Sequence, residues 1–374
     1  MTTGLDPDYN RLASLIWTHP AIERVREAAS QPVYLVGGAI RDGLADFQVD
    51  DIDLVVEGDP VPLAATLDPE ARINDRFGTV NLLVEGEPVD IATARTEIYS
   101  RPGALPEVKP GSLEDDLIRR DFTINAMAIG IGPDSELIDP LGGIADLKSG
   151  VLRVLHDKSF EDDPTRALRA ARYAARFGFD LEPKTAELMM AVNLGSISRD
   201  RVENELRLIA LEDNALEALR LARLWGLVDF EEERLDLAEA AIELIEVEPW
   251  RGGAPREAVI LEAIFGDLES ATELTAEPAG PWEGFRLARG RSPLELVLGR
   301  ALGAVWLDRW QRDWRWVELE ITGADLLAAG VPEGPQVGEG LDAAMEAKLN
   351  RGVSGGEGEM AIALEAAGAG KGAK

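Results

Sequence analysis

The chain contains no cysteine, which excludes disulfides and thiolate metal sites and fits a reducing cytoplasm. Its only histidines are His19 and His156, too few for a histidine-rich metal centre or a histidine–aspartate phosphohydrolase, and His19 reads as structural. No apolar run is long enough to cross a membrane, and residues 1–15 lack a signal-peptide pattern, so a cytoplasmic protein with no membrane partner is expected. No tandem repeat is evident. Basic residues are scarce: 38 Lys and Arg against 69 Asp and Glu leave a net charge of −31, which taken globally opposes a polyanionic partner. Against these absences, 45% hydrophobic content in 374 residues supports a substantial core and about two to three domains.

The informative stretch is residues 34–57. An apolar run, Tyr34-Leu35-Val36, reads as a strand and is broken by Gly37-Gly38, after which residues 39–44 can begin a helix. A glycine pair at such a junction lets backbone N–H groups approach an anion. Asp51-Ile52-Asp53 then precedes a second apolar run, Leu54-Val55-Val56. Alternate residues of a strand point to the same side, so Asp51 and Asp53 aim two carboxylates one way. Two carboxylates beside a phosphate-cradling turn form a magnesium site suited to phosphoryl or nucleotidyl transfer. The bland alternative is an acid-rich turn.

Further along, residues 6–29 read as a helix interrupted near His19-Pro20, and short strands follow at residues 72–74, 79–84 and 89–92. Asp90 is a polar residue in the last of these, either an edge-strand surface residue or a third site carboxylate. Residues 100–111 are rich in Pro and Gly and read as a loop, and Ser112 with Asp115 reads as a capping box. Arg119 and Arg120 can clamp a triphosphate or pair with Asp115 or Asp116 at a helix boundary. Arg119, Arg120, Arg153, Arg166, Arg169, Arg172 and Arg176 gather mid-chain, predicting a basic stripe on an acidic body; Asp163, Arg166, Arg169, Arg172 and Arg176 share one helix face, which read alone is a solvated face. Residues 215–227, 235–245 and 256–265 read as helices. Trp306, Trp310 and Trp314 read as helix-packing core rather than as an RNA-stacking stripe.

These motifs resemble the nucleotidyltransferase superfamily that includes DNA polymerase β and, more narrowly, the bacterial tRNA nucleotidyltransferase (CCA-adding) and poly(A) polymerase family. Gly37, Gly38, Arg41, Asp42, Asp51 and Asp53 match its G-G-x-x-R-D and D-x-D pattern. Phe77-Gly78-Thr79, Arg95 with Glu97, residues 119–126 (RRDFTINA), residues 138–143, the 160–179 helix, and Arg201 with Glu205 match later motifs in order. The resemblance covers about residues 33–341. It implies an α+β protein: a polymerase-β-like head with a mixed sheet at 1–147, then an all-helical neck at 148–213 and a helical body and tail at 214–374, with 355–374 flexible.

It further implies template-independent addition of CCA to the 3′ end of tRNA from CTP and ATP, releasing pyrophosphate. Asp51 and Asp53 would hold Mg²⁺, with Asp90 assisting. Gly37, Gly38, Arg41 and Arg120 would handle phosphates and ribose, Asp163 and Arg166 would read the base, and Arg169 and Arg172 would support the nucleotide. The tRNA 3′ end and acceptor region are the expected partners. Poly(A) addition is opposed by Asp75-Arg76-Phe77-Gly78-Thr79, which stands where those enzymes carry a basic strand, and A-only addition by the presence of residues 100–111. A partial CC-adding enzyme stays open, as does a non-catalytic RNA-binding relative, although the carboxylates are intact.

Overall fold

The computed structural model describes residues 12, 16–45, 47–49, 51–74, 78–132 and 136–368. Residues 6–11 and 13–15 of the expected first helix, Asp75 to Phe77 and the end of the tail at 369–374 lie outside the described residues. Contacts divide the chain into two compact units, Met1–Asp229 and Phe230–Lys374.

The first unit opens with α1 (Pro20–Ala28), β1 (Val33–Val36), α2 (Gly38–Leu44), β2 (Ile52–Val56) and α3 (Val61–Leu67). Then come β3 (Arg72–Asn74), β4 (Thr79–Val84), β5 (Glu87–Thr93), β6 (Arg95–Ile98), β7 (Glu107–Pro110), α4 (Leu113–Ile118), β8 (Ala128–Gly130) and β9 (Leu137–Ile138). Seven strands form one mixed sheet in the order β3-β4-β5-β2-β1-β8-β9. Only β2 and β5 run parallel within it, so Asp90 sits on an interior strand and not on an edge.

Strand parity decides what each face of the sheet carries. Leu35, Leu54, Val56 and Val80 pack on one side with Ile22, Val25, Ile40 and Leu63 of α1, α2 and α3. Val36 and Val55 face the other way, against Leu113 and Leu117 of α4. Asp53, two residues before Val55, therefore opens on the side that α4 covers. The capping box forms as expected: Ser112 Oγ accepts from the Asp115 amide at 3.2 Å, and Asp115 Oδ2 accepts from the Ser112 amide at 2.9 Å.

Four residues of the expected loop, Glu107–Pro110, are a strand. β7 pairs antiparallel with β6, Thr96 facing Lys109, in a separate two-stranded sheet. Its prolines sit at positions that spare the ladder, so Gly/Pro content misled the reading.

The unit continues with α5 (Gly143–Ser149), β10 (Val151–Leu152), α6 (Ser159–Asp162), α7 (Thr165–Phe177), β11 (Asp180–Leu181), α8 (Pro183–Met189), α9 (Arg199–Ala210) and α10 (Ala215–Leu224). β10 and β11 form a short parallel ribbon among the helices. Asp139 starts α5 by accepting from the amides of Gly143 (2.7 Å) and Ile144 (3.0 Å). Ala167, Ala170 and Ala174 of α7 pack on Phe122, Ile124 and Leu152, and these small side chains let α7 lie close to the 119–126 segment.

The second unit is helical: α11 (Glu233–Glu246), α12 (Arg256–Phe265), α13 (Glu269–Glu273), α14 (Pro281–Ala288), α15 (Pro293–Ala301), α16 (Leu307–Arg312), α17 (Gly323–Ala328), α18 (Pro335–Arg351) and α19 (Gly356–Ala366). Trp306 and Trp310 are core, as expected. Trp314 is not on their helix, because α16 stops at Arg312 and a 3₁₀ turn, Trp314–Trp316, follows. Among the described residues no helix is long and apolar enough to cross a membrane.

Gly143 tests the packing of α5. A Cβ there would lie 2.3 Å from the carbonyl oxygen of Thr123, a backbone atom that cannot rotate away. Gly143→Ala should therefore cost about 2 kcal/mol or more in urea unfolding; an unchanged midpoint would show that the approach is not tight.

Candidate active site

β1 delivers the chain to Gly37, whose φ of 69° turns it into α2. The missing side chain leaves room for Arg120: a Cβ on Gly37 would lie 2.5 Å from Arg120 Nη1. Beside this turn opens a cavity of about 590 Å³. Gly38, Arg41, Asp51, Asp53, Arg120, Asp163, Arg166, Arg169 and Arg172 all line it; Gly37 and Asp90 are not among its lining residues.

One wall is acidic. Asp51 precedes β2 and Asp53 lies within it, level with Asp90 on β5. Burial pushes the Asp53 carboxyl pKa up; Arg120 opposes this, and the charges of Asp90 and Asp51 add to it. Asp90 is exposed and accepts from Asn81 Nδ2 at 2.5 Å. A crowded pair of hard oxygen ligands suits Mg²⁺, which takes one or two protein carboxylates and fills its shell with phosphate oxygens and water. Among the described residues no group of three or more His, Cys, Asp or Glu side chains could hold a metal ion.

Arginines line the same cavity, and they are held. Asp116 is buried; although burial opposes its charge, Arg120 and Arg119 hold its carboxyl below the ordinary range. It accepts from Arg119 Nη2 at 2.6 Å and Arg120 Nη2 at 3.0 Å. Both arginines thus make the helix-boundary bridge. Glu97 accepts from Arg119 at 2.8 Å and from the Tyr99 hydroxyl at 2.8 Å. Arg41 is buried, with Nε and Nη2 on the two oxygens of Asp42 and Nη1 on Asn125 Oδ1 at 2.6 Å. Asn125 donates to Asp121 Oδ1 at 2.8 Å, and Arg169 Nη2 reaches Asp121 Oδ2 at 2.7 Å. Burial opposes the Asp121 charge, yet Arg169 and Asn125 hold its pKa far below the usual carboxylate range.

The α7 arginines of the expected basic stripe line this cavity. They turn inward to this cavity and meet carboxylates: Arg169 with Asp121, Arg172 with Glu212 at 3.9 Å, and Arg176 with Asp42 at 3.4 Å. Arg153 pairs elsewhere, with Asp146 and Glu182. Asp163 precedes α7 and accepts from the Thr165 amide (3.0 Å), the Thr165 hydroxyl (2.7 Å) and Arg201 Nη2 (2.7 Å). All three bonds fall on Oδ1. Arg166 is buried and donates to Ser159 Oγ at 2.7 Å and the Arg119 carbonyl at 2.8 Å. Arg172 Nε and Glu205 Oε2 are buried without a hydrogen-bond partner, and both residues line the cavity. They leave a donor and an acceptor for a bound molecule.

The sequence reading did not single out Tyr99, Tyr173 or Glu212, which line this cavity, and gave Asp116 only as a helix-boundary partner of Arg119 and Arg120. Tyr173 had a signal: it stands four residues after Arg169, and Arg41 lies 4.9 Å over its ring. Asp121 and Asn125 were inside RRDFTINA without an assigned role.

A mixed sheet with a glycine turn, paired aspartates and facing arginines defines a head of the polymerase-β-like nucleotidyltransferase class. Residues 33–153 match the model of the Poly A polymerase head domain. The chain is 47% identical over 206 residues to an A-adding tRNA nucleotidyltransferase of Aquifex aeolicus, covering 52% of this chain and 25% of that protein. It is 33% identical to an A-adding tRNA nucleotidyltransferase of Geobacter sulfurreducens (92% and 46% covered) and 33% identical to a CC-adding tRNA nucleotidyltransferase of Deinococcus radiodurans (82% of each). It superposes on an apo CCA-adding enzyme with a TM-score of 0.79 at 28% identity, covering 96% of both chains. It also superposes on the Thermotoga maritima CCA-adding enzyme complexed with tRNA (0.72 at 26% identity, 96% of both). The chain belongs to the tRNA nucleotidyltransferase and poly(A) polymerase family. It spans less than half the length of the A-adding relatives it matches.

The Asp121–Arg169 pair is testable by pH. Asp121 has a depressed pKa when folded, so its stabilisation is present above about pH 4 and lost as pH falls toward the folded value. Asp121→Asn should cost about 3 kcal/mol at pH 7, since it leaves Arg169 short of its partner. The gap to wild type should narrow in acid denaturation series below about pH 4; a constant gap would assign the loss to packing instead.

Proposed function

We propose that the protein transfers nucleoside monophosphates from CTP and ATP to the 3′ end of tRNA in the cytoplasm, without a template, releasing pyrophosphate and completing CCA. The observation that carries this is the cavity itself: Asp51, Asp53 and the α7 arginines line one space of about 590 Å³, in a chain alignable nearly end to end with a CCA-adding enzyme. We assign catalysis to residues 1–147, base reading to 148–213 and RNA binding to 214–374.

Asp51 and Asp53 would hold Mg²⁺, which when bound lowers the pKa of the attacking 3′-hydroxyl and neutralises triphosphate charge. Asp90 adds a third carboxylate level with Asp53. The backbone at Gly37 and Gly38 approaches the phosphates, and Arg120 neutralises them. Arg41 has three of its five N–H donors engaged, so it acts chiefly by fixing α2 against Asn125. Arg169 and Arg172 support the nucleotide. Asp163 and Arg166 read the base: Oδ2 of Asp163, clear of the bonds that occupy Oδ1, accepts the amino group of cytosine or adenine, and Arg166 donates to the adjacent ring nitrogen. Uracil and guanine present a carbonyl beside an N–H and reverse both contacts.

A-addition alone is a second reading, favoured by the 47% identity to an A-adding relative. One assay separates the two: tRNAs ending at the discriminator base, after C and after CC are each incubated with CTP or ATP, and the products are sequenced. Full CCA on the discriminator-ended tRNA supports the first reading; A added only to the CC-ended tRNA supports the second; no addition to any refutes both. In the same assay Asp51→Ala and Asp53→Ala should each lower transfer by about 10³-fold or more with unchanged circular dichroism. Asp163→Ala with Arg166→Ala should admit UTP or GTP, eroding a rejection of about 10⁴-fold. Strict preference for CTP and ATP at reduced rate would leave Asp163 a helix cap only.

A further inference from the structure

We infer that the turn after α16 presents Trp316 as a stacking platform for an unpaired RNA base, flanked by arginines for its phosphates; this rests on the RNA substrate proposed above. Trp306 and Trp310 are buried to 4% and 8% exposure, whereas Trp316 is 67% exposed. The buried side anchors the segment. Trp306 Nε1 donates to the Leu274 carbonyl at 2.9 Å, and its ring stacks on Trp314 at 6.4 Å and 19°. Gly284 of α14 admits both rings: a Cβ there would lie 2.6 Å from Trp314. The chain then leaves the helix at Arg312, and the 3₁₀ turn swings Trp316 outward.

Although exposed, Trp316 is fixed in place. Its Nε1 donates to the Gln311 carbonyl at 3.2 Å, and the Arg315 guanidinium lies 4.7 Å from its ring. Arg309, Arg312 and Arg315 are exposed, and no ion pair engages them among the described residues, unlike the α7 arginines. Of the nearby acids, Asp308 is engaged by Arg300 and Trp250, and Asp313 is exposed. Arg315 donates to Gln311 Oε1 and stacks on one face of Trp316; a fixed indole with its other face open, beside Arg309 and Arg312 on a chain of net charge −31, matches single-stranded nucleic acid: the open π face for a base and the arginines for phosphates.

The test uses the full chain and tRNA lacking its 3′ CCA, with binding measured across a salt series. Trp316→Ala should weaken binding about tenfold and Trp316→Phe should restore most of it. Arg312→Ala with Arg315→Ala should reduce the slope of log Kd against log salt by about one to two. For each variant, KM for tRNA should rise with kcat at saturating tRNA unchanged. Wild-type affinity and salt slope in these variants would overturn the platform, as would affinity losses seen only in variants with a lowered melting temperature. If wild type extends tRNA while these variants bind normally, the platform alone fails; if wild type neither binds nor extends tRNA, the RNA reading fails and the platform with it.

Discussion

The site in the first unit depends on the ion pair between buried Asp121 and half-buried Arg169. Removing two charges from water costs several kcal/mol per ion, and only close geometry with further hydrogen bonds offsets it. Asp121 meets that demand: besides Arg169 it accepts from the Phe122 amide and from Asn125. Asn125 passes the constraint to Arg41, and Asp42 passes it back to α7 through Arg176. The glycine turn, the RRDFTINA segment and the arginine helix are thus locked in one arrangement. Shifting any member leaves a buried charge without its partner, so the cavity between them has a defined shape before any ligand enters.

The same network answers how so acidic a chain assembles a cationic wall. Arginines that would repel one another in a bare cluster are interleaved with Asp42, Asp116, Asp121, Glu205 and Glu212. The carboxylates set positions; the remaining N–H donors and the aromatic edges of Tyr99 and Tyr173 face the space. Asp53 is half-buried, and the charges of Asp51 and Asp90 add to burial in raising its pKa. The cavity is thus lined both by crowded aspartates and by arginines held in ion pairs.

Local chemistry read from residues alone reached far in the head. The break at Gly37, the shared side of Asp51 and Asp53, the Ser112–Asp115 capping box and the spacing of Arg166, Arg169, Arg172 and Arg176 each depend on neighbours within a few residues, where strand and helix periods apply. Family resemblance added the order of the motifs and the fold class.

What the sequence by itself determined, then, was which side chains share a face; what covers that face was decided by tertiary structure. Helical spacing put the α7 arginines in a row, but only packing turned the row inward, onto Asp42, 134 residues away from Arg176. Composition marked residues 100–111 as a loop, but pairing with β6 made a strand of Glu107–Pro110. A period of four grouped Trp314 with Trp306 and Trp310, but the helix ends at Arg312, and Trp314 reaches Trp306 from a separate turn. Periodicity is a property of one element. Partners belong to pairs of elements brought together by burial, and no spacing along a single segment encodes them.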